Sequence, residues 1–500
     1  MVKETPRRVE KAVAWKPHGY QKKAVKFMLE RACAALFLDP GLGKTSITLA
    51  ALKILKSKGL IKKVLLIAPL RVCHLVWPRE VEKWKDFHGL KVAVLHGKDK
   101  DEVLESSDAD IFVINPAGLE WLTQATKAKG PSGKTAVTVD LRRWKRLGFD
   151  TLVIDELSNF KNSTSLRFKL MKQIHGTFDR RYGLTGSPAA NGLLDLFGQA
   201  YVLDQGRSLG PYITHYRSRY FNPSWNGFNW TPKDGAEEQI YERLSPLALR
   251  MAAEDYLEMP QLVVNNIKVE LPAKVRAFYD GLEEELFAML DDQVFTAVSQ
   301  GVLYGKCRQV ANGGIYLTPD LTSIPGFKVP KERREWLHLH DAKTEALADL
   351  VDELQGSPLL VAYDFEHDLD RLRAQFGQDL PYIGGGLPTR RLKELEAAWN
   401  HGELPILAGH PAAMGHGLNL QQAGHHVCWY ALNPDFELYD QFIRRVLRQG
   451  NKSKRVFVHH LVAEDTVDEA ILDSLRFKDR TQQALFKGLL ELAKRRRARK

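Results

Sequence analysis

Lys44 follows two glycines spaced two apart, in the stretch LDPGLGKTS from Leu38 to Ser46. Gly41 and Gly43 let the backbone curl so that successive N–H groups point at one anion, and a following helix adds its positive end. Lys44 can then reach the β and γ phosphates of a nucleotide, while Thr45 can offer its hydroxyl to Mg²⁺. Pro40, Leu42 and Ser46 complete the cradle. Such a loop needs a strand before it and a helix after it. The apolar run Ala34 to Leu38 and the alternating segment that continues to Leu55 supply both. Leu38 stands where the general pattern wants a first glycine, and an ordinary strand-to-helix turn fits this segment taken alone.

A second piece, TLVIDELSNFKN from Thr151 to Asn162, ends an apolar strand in two adjacent carboxylates. Ligands of open α/β sheets gather at the carboxyl ends of strands. There Asp155 would hold Mg²⁺ through water and Glu156 would polarise an attacking water; the plain alternative is a solvated acidic turn. In a third piece, DQFIRRVLRQG from Asp440 to Gly450, Arg445 and Arg448 are three apart, a spacing that predicts one shared helix face. Hydrolysis of a phosphoanhydride needs positive charge on the transferring phosphoryl group, and arginines from a second domain can provide it. A solvated helix face would read the same in isolation.

Taken together, and in this order, the pieces resemble superfamily-two DNA translocases of the Swi/Snf type, most closely the compact DEAD/DEAH-like helicases encoded by tailed bacteriophages. The match is collinear. PHGYQKKAVKFM (Pro17 to Met28) is similar to the adenine-side motif, with Gln21 at the glutamine position, and LIAPLRVCHLVWPREVEKW (Leu66 to Trp84) to the next, including Trp77, Glu80 and Trp84. DELSNFKN keeps the acidic pair with Lys161 and Asn162, and GLTGSPAANGLLDLFGQ (Gly183 to Gln199) resembles the motif that couples hydrolysis to movement. Further on, CRQVANG (Cys307 to Gly313), YIGGGLPTRRLKELEAAWN (Tyr382 to Asn400) and MGHGLNLQQAGHHVCWYALNP (Met414 to Pro434) match second-lobe segments, and Gln441, Arg445 and Arg448 match the last motif.

The resemblance implies an ATP-dependent motor of two RecA-like parallel-sheet lobes in tandem, α/β in class, with a mainly helical insert or linker region between them. ATP and Mg²⁺ would sit in the cleft, with Gln21, Gly41, Gly43, Lys44, Thr45, Asp155 and Glu156 from one lobe and Arg445 and Arg448 from the other. It also implies nucleic-acid contacts or coupling roles for Pro69, Arg71, Asn115, Lys161, Asn162, Thr185, Ser187, Gly417, Asn419 and Gln441. The partner would be DNA, duplex, forked or single-stranded, with RNA as the alternative; phage replication, recombination or fork remodelling are contexts such a motor serves. Three positions depart from the pattern: Ser158 where the family often has His, Met414 for the first of two glycines, and Gln449 for an apolar residue. None removes a group that handles phosphate or water. A generic P-loop ATPase or kinase would explain Lys44 and Asp155 but not the second-lobe motifs, and a binding module without turnover would not need every phosphate-handling residue.

The elements fit. Apolar strands are expected at Val64 to Ala68, Val92 to Leu95, Ile111 to Ile114 and Thr151 to Ile154, and again at Leu359 to Ala362, Ile406 to Ala408, His426 to Tyr430 and Val456 to Val462. Separated by helical stretches, they predict parallel sheets. Lobe 1 is expected over residues 1–200, a linker region of long helices such as Pro272 to Gln300 and aromatic loops over 201–340, lobe 2 over 341–475, and a basic tail over 476–500. Thr466 and Glu469 have capping-box spacing, which marks a helix start. The segment YFNPSWNGFNWTP (Tyr220 to Pro232) reads either as a hairpin that stacks on bases or as aromatics packing a loop.

Composition is compatible with this reading. Of the net charge of +11, +8 falls between Arg476 and Lys500, where ten Lys/Arg face Asp479 and Glu491. Such a tail binds nucleic acid by counterion release or serves as a solubilising terminus. The four cysteines lie far apart with no Cys-x-x-Cys pair, and no spaced Cys/His set accompanies His338/His340 or His459/His460, so neither a disulfide scaffold nor a zinc site is expected. No apolar run approaches the roughly 18 residues a bilayer span needs, and MVKETPRRVEK lacks a secretory core, so a cytoplasmic location is expected, in a bacterial host if phage-encoded.

Overall fold

A computed structural model describes residues 12–129, 135–186, 188–189, 192–223, 230–291, 297–317, 335–414 and 417–476. The basic tail beyond Arg476, Ser187 and the turn 224–229 of the aromatic segment lie outside the described residues. The chain divides into two compact units, Met1–Leu257 and Glu258–Lys500.

In the first unit, seven strands form one sheet: β1 (Cys33–Leu38), β2 (Val64–Ile67), β3 (Val92–Val94), β4 (Ile111–Ile114), β5 (Thr151–Asp155), β6 (Arg180–Thr185) and β7 (Ala248–Met251). Their order is β7-β1-β6-β5-β2-β4-β3, and every pairing is parallel. The runs VLLI and IFVI are buried at all four positions, as central strands covered on both faces must be. On one face Leu65, Ile67, Phe112, Ile114, Leu152 and Ile154 pack with Trp144, Phe168 and Leu196. Val64 and Ile111, pointing the other way, line a small pocket together with Leu52 of helix Lys44–Ser57. The order matters for chemistry, because β1, β6 and β5 are neighbours. The residues that follow Leu38, Thr185 and Asp155 therefore emerge side by side at one sheet edge.

The second unit repeats the architecture with six strands: β8 (Gln261–Val269), β9 (Leu359–Ala362), β10 (Tyr382–Ile383), β11 (Ile406–Gly409), β12 (His426–Trp429) and β13 (Arg455–Ala463). They run β8-β13-β12-β9-β11-β10, again all parallel. The α/β class and the two parallel sheets thus follow the sequence reading. Four strands are not among those expected: β6, β10, and β7 and β8, which come from the stretch 201–340 and join the first and second sheets respectively. Strands β7 and β8 lie at sheet edges, and β8 is largely exposed, so its polar residues hide it from an apolar-run criterion.

The expected helix Pro272 to Gln300 is two helices, Ala273–Asp291 and Ala297–Asn312, and residues 292–296 are outside the described set. The helix after β13 starts where Thr466 and Glu469 predict, at Val467, but Glu469 accepts from the Asp465 N–H rather than from that of Thr466. In the aromatic segment, Phe221–Pro223 pairs antiparallel with Trp230–Pro232, and Tyr220 and Phe221 are buried in the first unit's core. Core packing thus accounts for Tyr220 and Phe221.

A buried polar network organises the second unit. Lys343, with no exposed surface, lies 2.6 Å from Asp468 and donates to Asn312 Oδ1 at 2.8 Å. Arg308 pairs with Asp364 and donates to the Leu432 carbonyl, which ties helix Ala297–Asn312 to the carboxyl ends of β9 and β12. A buried charge left unpaired costs several kcal/mol, on the order of 3–5 when a partner is removed, so these pairs fix the helix in one position.

Candidate active site

The glycine loop leaves β1 and enters helix Lys44–Ser57 through Gly43, whose φ of 78° is left-handed. The backbone conformation favours glycine, and a Cβ there would lie 2.6 Å from Gln21 Nε2 and displace that amide from its hydrogen bond to the loop. Gln21 is buried; it accepts from the His18 N–H at 3.0 Å and donates to the Leu42 carbonyl at 3.2 Å. The adenine-side segment and the loop are therefore one hydrogen-bonded piece. Lys44 Nζ folds back onto the Leu38 carbonyl at 2.6 Å. Thr45 is the second residue of the helix, and the buried Ser46 donates to Glu80 at 3.3 Å, which also accepts from Trp84 at 2.7 Å. Pro40 packs at 3.1 Å from where Gly186, just past β6, would carry a Cβ.

Beside this loop, β5 delivers Asp155. Burial and the neighbouring Glu156 charge push its carboxyl up to about 6, against an opposing hydrogen bond from Trp77 and the field of Lys44. Trp77, fully buried, donates its indole N–H to Asp155 Oδ2 at 2.9 Å. Glu156 has a left-handed φ of 65°, a strained setting for a non-glycine residue. Two hydroxyls fix its carboxylate: Ser158 donates to Oε1 at 2.7 Å and Thr185 to the same oxygen at 2.8 Å. The position that departs from the family pattern thus holds the residue that the sequence reading makes the water-activating base. Helix Asp195–Asp204 closes on this turn at Gly198, where a Cβ would strike the Phe160 carbonyl at 2.3 Å.

A carboxyl whose folded pKa exceeds its ordinary value of 3.8 adds stability below that value and loses it as pH rises through about 6. Asp155→Asn is therefore expected to raise the thermal midpoint of the metal-free protein at pH 8 and to lose that advantage toward pH 4. Scanning calorimetry in a chelator reads this directly; equal midpoints at pH 8 would mean that the carboxyl is not held in a desolvated setting.

In the second unit the arginines are not on one helix face. Helix Phe436–Ile443 stops at its cap, Arg444, and the chain continues in irregular turns, with both Val446 and Leu447 N–H bonded to the Ile443 carbonyl and Arg448 N–H to that of Val446. The arginines are instead held by the loop before β12. Arg445, buried, donates to the Leu418 carbonyl at 3.1 Å, Leu420 N–H bonds back to the Arg445 carbonyl, and Arg448 donates to Asn419 Oδ1. Burial and the adjacent Arg444 lower the Arg448 guanidinium to about 10, with Glu396 opposing, and its buried Nε has no hydrogen-bond partner among the described residues. A desolvated guanidinium beside a second arginine, with a neutral amide as its hydrogen-bond partner, is a common signature of an anion-handling site.

The remaining candidates are dispersed. Pro69 precedes helix Leu70–Leu75, and burial lowers the Arg71 guanidinium within it. Asn115 precedes the short turn Pro116–Gly118. Lys161 lies 3.7 Å from Asp195, and Asn162 caps the next turn by accepting from Thr164. Gly417 takes a left-handed φ of 80°, and Gln441 donates to Glu437 within its own helix. Asn419 is better described as a partner of Arg448 than as an isolated contact. Trp77 and Ser158 gain roles that spacing alone does not reveal, since their partners lie on other elements or across a strained turn. Among the described residues, no cluster of three or more His, Cys, Asp or Glu could hold a metal, and no helix is long and apolar enough to cross a membrane.

Residues 20–310 match the SNF2-related domain, and the chain belongs to that family. Protein p41 of Acyrthosiphon pisum secondary endosymbiont phage 1 is 33% identical over 494 residues, covering 95% of this chain and 98% of that one. YwqA of Bacillus subtilis (strain 168), which carries the name of an ATP-dependent helicase/translocase, is 24% identical over 88% of this chain. The CHD3-type chromatin-remodeling factor PICKLE of Arabidopsis thaliana is 23% identical over 92% of it. The chain spans 45% and 34% of the length of those last two relatives.

Proposed function

We propose that this protein is an ATP-driven DNA translocase. The observation that carries the reading is the grouping at one sheet edge of a glycine loop with its lysine, a magnesium-type carboxylate and a second carboxylate held by two hydroxyls. ATP would be bound by Gln21 and the loop from Pro40 to Ser46, with Lys44 exchanging its backbone carbonyl for phosphate oxygens. Mg²⁺ suits one carboxylate, one hydroxyl and substrate phosphates, which is what Asp155 and Thr45 offer; it would neutralise charge on the phosphates. Glu156, oriented by Ser158 and Thr185, takes the proton of the attacking water. Arg445 and Arg448 supply the positive charge that hydrolysis develops a need for.

DNA rather than RNA is favoured by family membership and by the relatives' names, which include a chromatin-remodeling factor. Contacts would be mostly to phosphate and so largely independent of sequence. The test is ATP turnover measured with duplex, single-stranded and forked DNA and with RNA. Duplex DNA should stimulate most; stimulation by RNA alone would make the protein an RNA motor. Within this reading, Ser158→Ala is expected to slow saturated turnover roughly ten- to hundredfold, as loss of one hydrogen bond of about 1.5–3 kcal/mol to a charged group would, with ATP affinity unchanged. Wild-type turnover in that variant would leave Thr185 as the residue that matters.

A further inference from the structure

Outside the site, the first unit carries a cationic surface that the proposed chemistry does not use. Strand Thr135–Thr138, helix Leu141–Arg146 and helix Leu166–Ile174 lie together: Gln173 accepts from the Val139 N–H at 3.1 Å and donates to the Val137 carbonyl at 2.9 Å, and Trp144 donates to Thr177 at 2.8 Å. Trp144 and Phe168 anchor both helices in the core on the sheet face away from helix Lys44–Ser57. Residues 135–146 and 166–174 hold seven Lys/Arg and one acid, Asp140.

Three of the seven have local partners. Arg143 donates to the Leu122 carbonyl, Arg167 to Asn159, and Lys172 sits over the Tyr201 ring. The other four, Arg142, Lys145, Arg146 and Lys169, are exposed, and their side chains form no salt bridge among the described residues. The one acid, Asp140, caps the helix by accepting from the Arg143 and Arg142 backbone N–H groups; these bonds, with a smaller contribution from the Arg146 and Arg142 charges, hold its pKa below the usual range, and a single carboxylate leaves most of the face's positive charge unbalanced. Nearby surfaces behave differently: Lys56 pairs with Asp110, Lys91 with Asp108 and Lys127 with Glu120. Moreover, Arg142 and Arg146 are four apart on one short helix, an arrangement that destabilises it by a few tenths of a kcal/mol when no anion is present.

We infer that this face is a second phosphate-contacting surface, which engages the backbone of duplex DNA apart from the ATP-handling edge. The proposal rests on the translocase reading. Guanidinium and ammonium groups on a short, core-anchored helix match a row of phosphates, give no base readout, and would hold DNA near the motor while its other grip is released. The face would contribute affinity without entering the hydrolysis step.

The test is a triple variant, Arg142→Ala, Lys145→Ala and Arg146→Ala, which keeps Trp144 and the Asp140 cap and places good helix formers on an exposed face. Duplex binding is titrated against salt by fluorescence anisotropy, beside ATP turnover at saturating DNA. Expected is a fall in the log–log salt slope of about 0.9 for each phosphate no longer neutralised, up to about 2.7 for three, with saturated turnover unchanged. A second variant, Lys169→Ala, should lower the slope by up to about 0.9. An unchanged slope in both, with wild-type protein binding and being stimulated by DNA, would overturn the inference and leave the translocase reading intact. An unchanged DNA slope with weakened retention on polyglutamate would assign the face to an acidic protein and also overturn it. Failure of the wild type to bind any nucleic acid would remove both readings together.

Discussion

Glu156→Gln is expected to bind ATP with near-normal affinity and to turn it over about 10²–10⁴-fold more slowly, the range lost with a positioned general base. The amide keeps the side chain's shape and can still accept from Ser158 and Thr185, which bond to Oε1 at 2.7 and 2.8 Å. What it lacks is a lone pair basic enough to take a proton from water. Stability should change little, since the amide preserves both hydroxyl hydrogen bonds. Single-turnover hydrolysis and a separate nucleotide-binding titration distinguish chemistry from binding. Near-normal turnover by the folded variant would transfer the base to another residue and remove the purpose of the two-hydroxyl clamp.

Arg448→Ala should lose roughly 10³-fold in turnover or more while keeping much of its nucleotide affinity, because a transition-state arginine acts on developing charge rather than on the ground state. The motive is its setting: a desolvated guanidinium beside Arg444, lowered to about 10, with Asn419 as a neutral partner. Asn419→Ala, by freeing that side chain, should show a smaller loss in the same direction. Wild-type turnover by Arg448→Ala across a full DNA titration would exclude the second unit's arginine from the phosphoryl-transfer step.

Sequence and structure agree where the signal is local. The strands IFVI and LLVA keep their expected bounds, because parallel strands covered on both faces read as unbroken apolar runs. The glycine loop is equally readable, since positive φ and close approach favour glycine. Disagreement arises where the determinant is non-local. Strand β6 begins with two arginines and looks polar, yet Arg181 is buried because the Leu203, His175 and Phe178 carbonyls take its guanidinium. Likewise, the three-residue spacing of Arg445 and Arg448 suggests a helix face, but the Leu418 carbonyl and Asn419 hold them in turns instead. Trp77 belongs to a motif that the resemblance marks, but its spacing does not reveal its partner. Its hydrogen bond to Asp155 spans 78 positions in the chain and belongs to the packing of a helix against a strand end.

The most direct test of movement on DNA is displacement of a third strand from a duplex carrying a triplex block, measured with ATP, with a non-hydrolysable analogue, and with Glu156→Gln. Displacement that requires hydrolysable ATP and intact Glu156 is the expected result. DNA-stimulated ATP turnover with no displacement from either end of the duplex would contradict translocation and leave a DNA-dependent ATPase in its place.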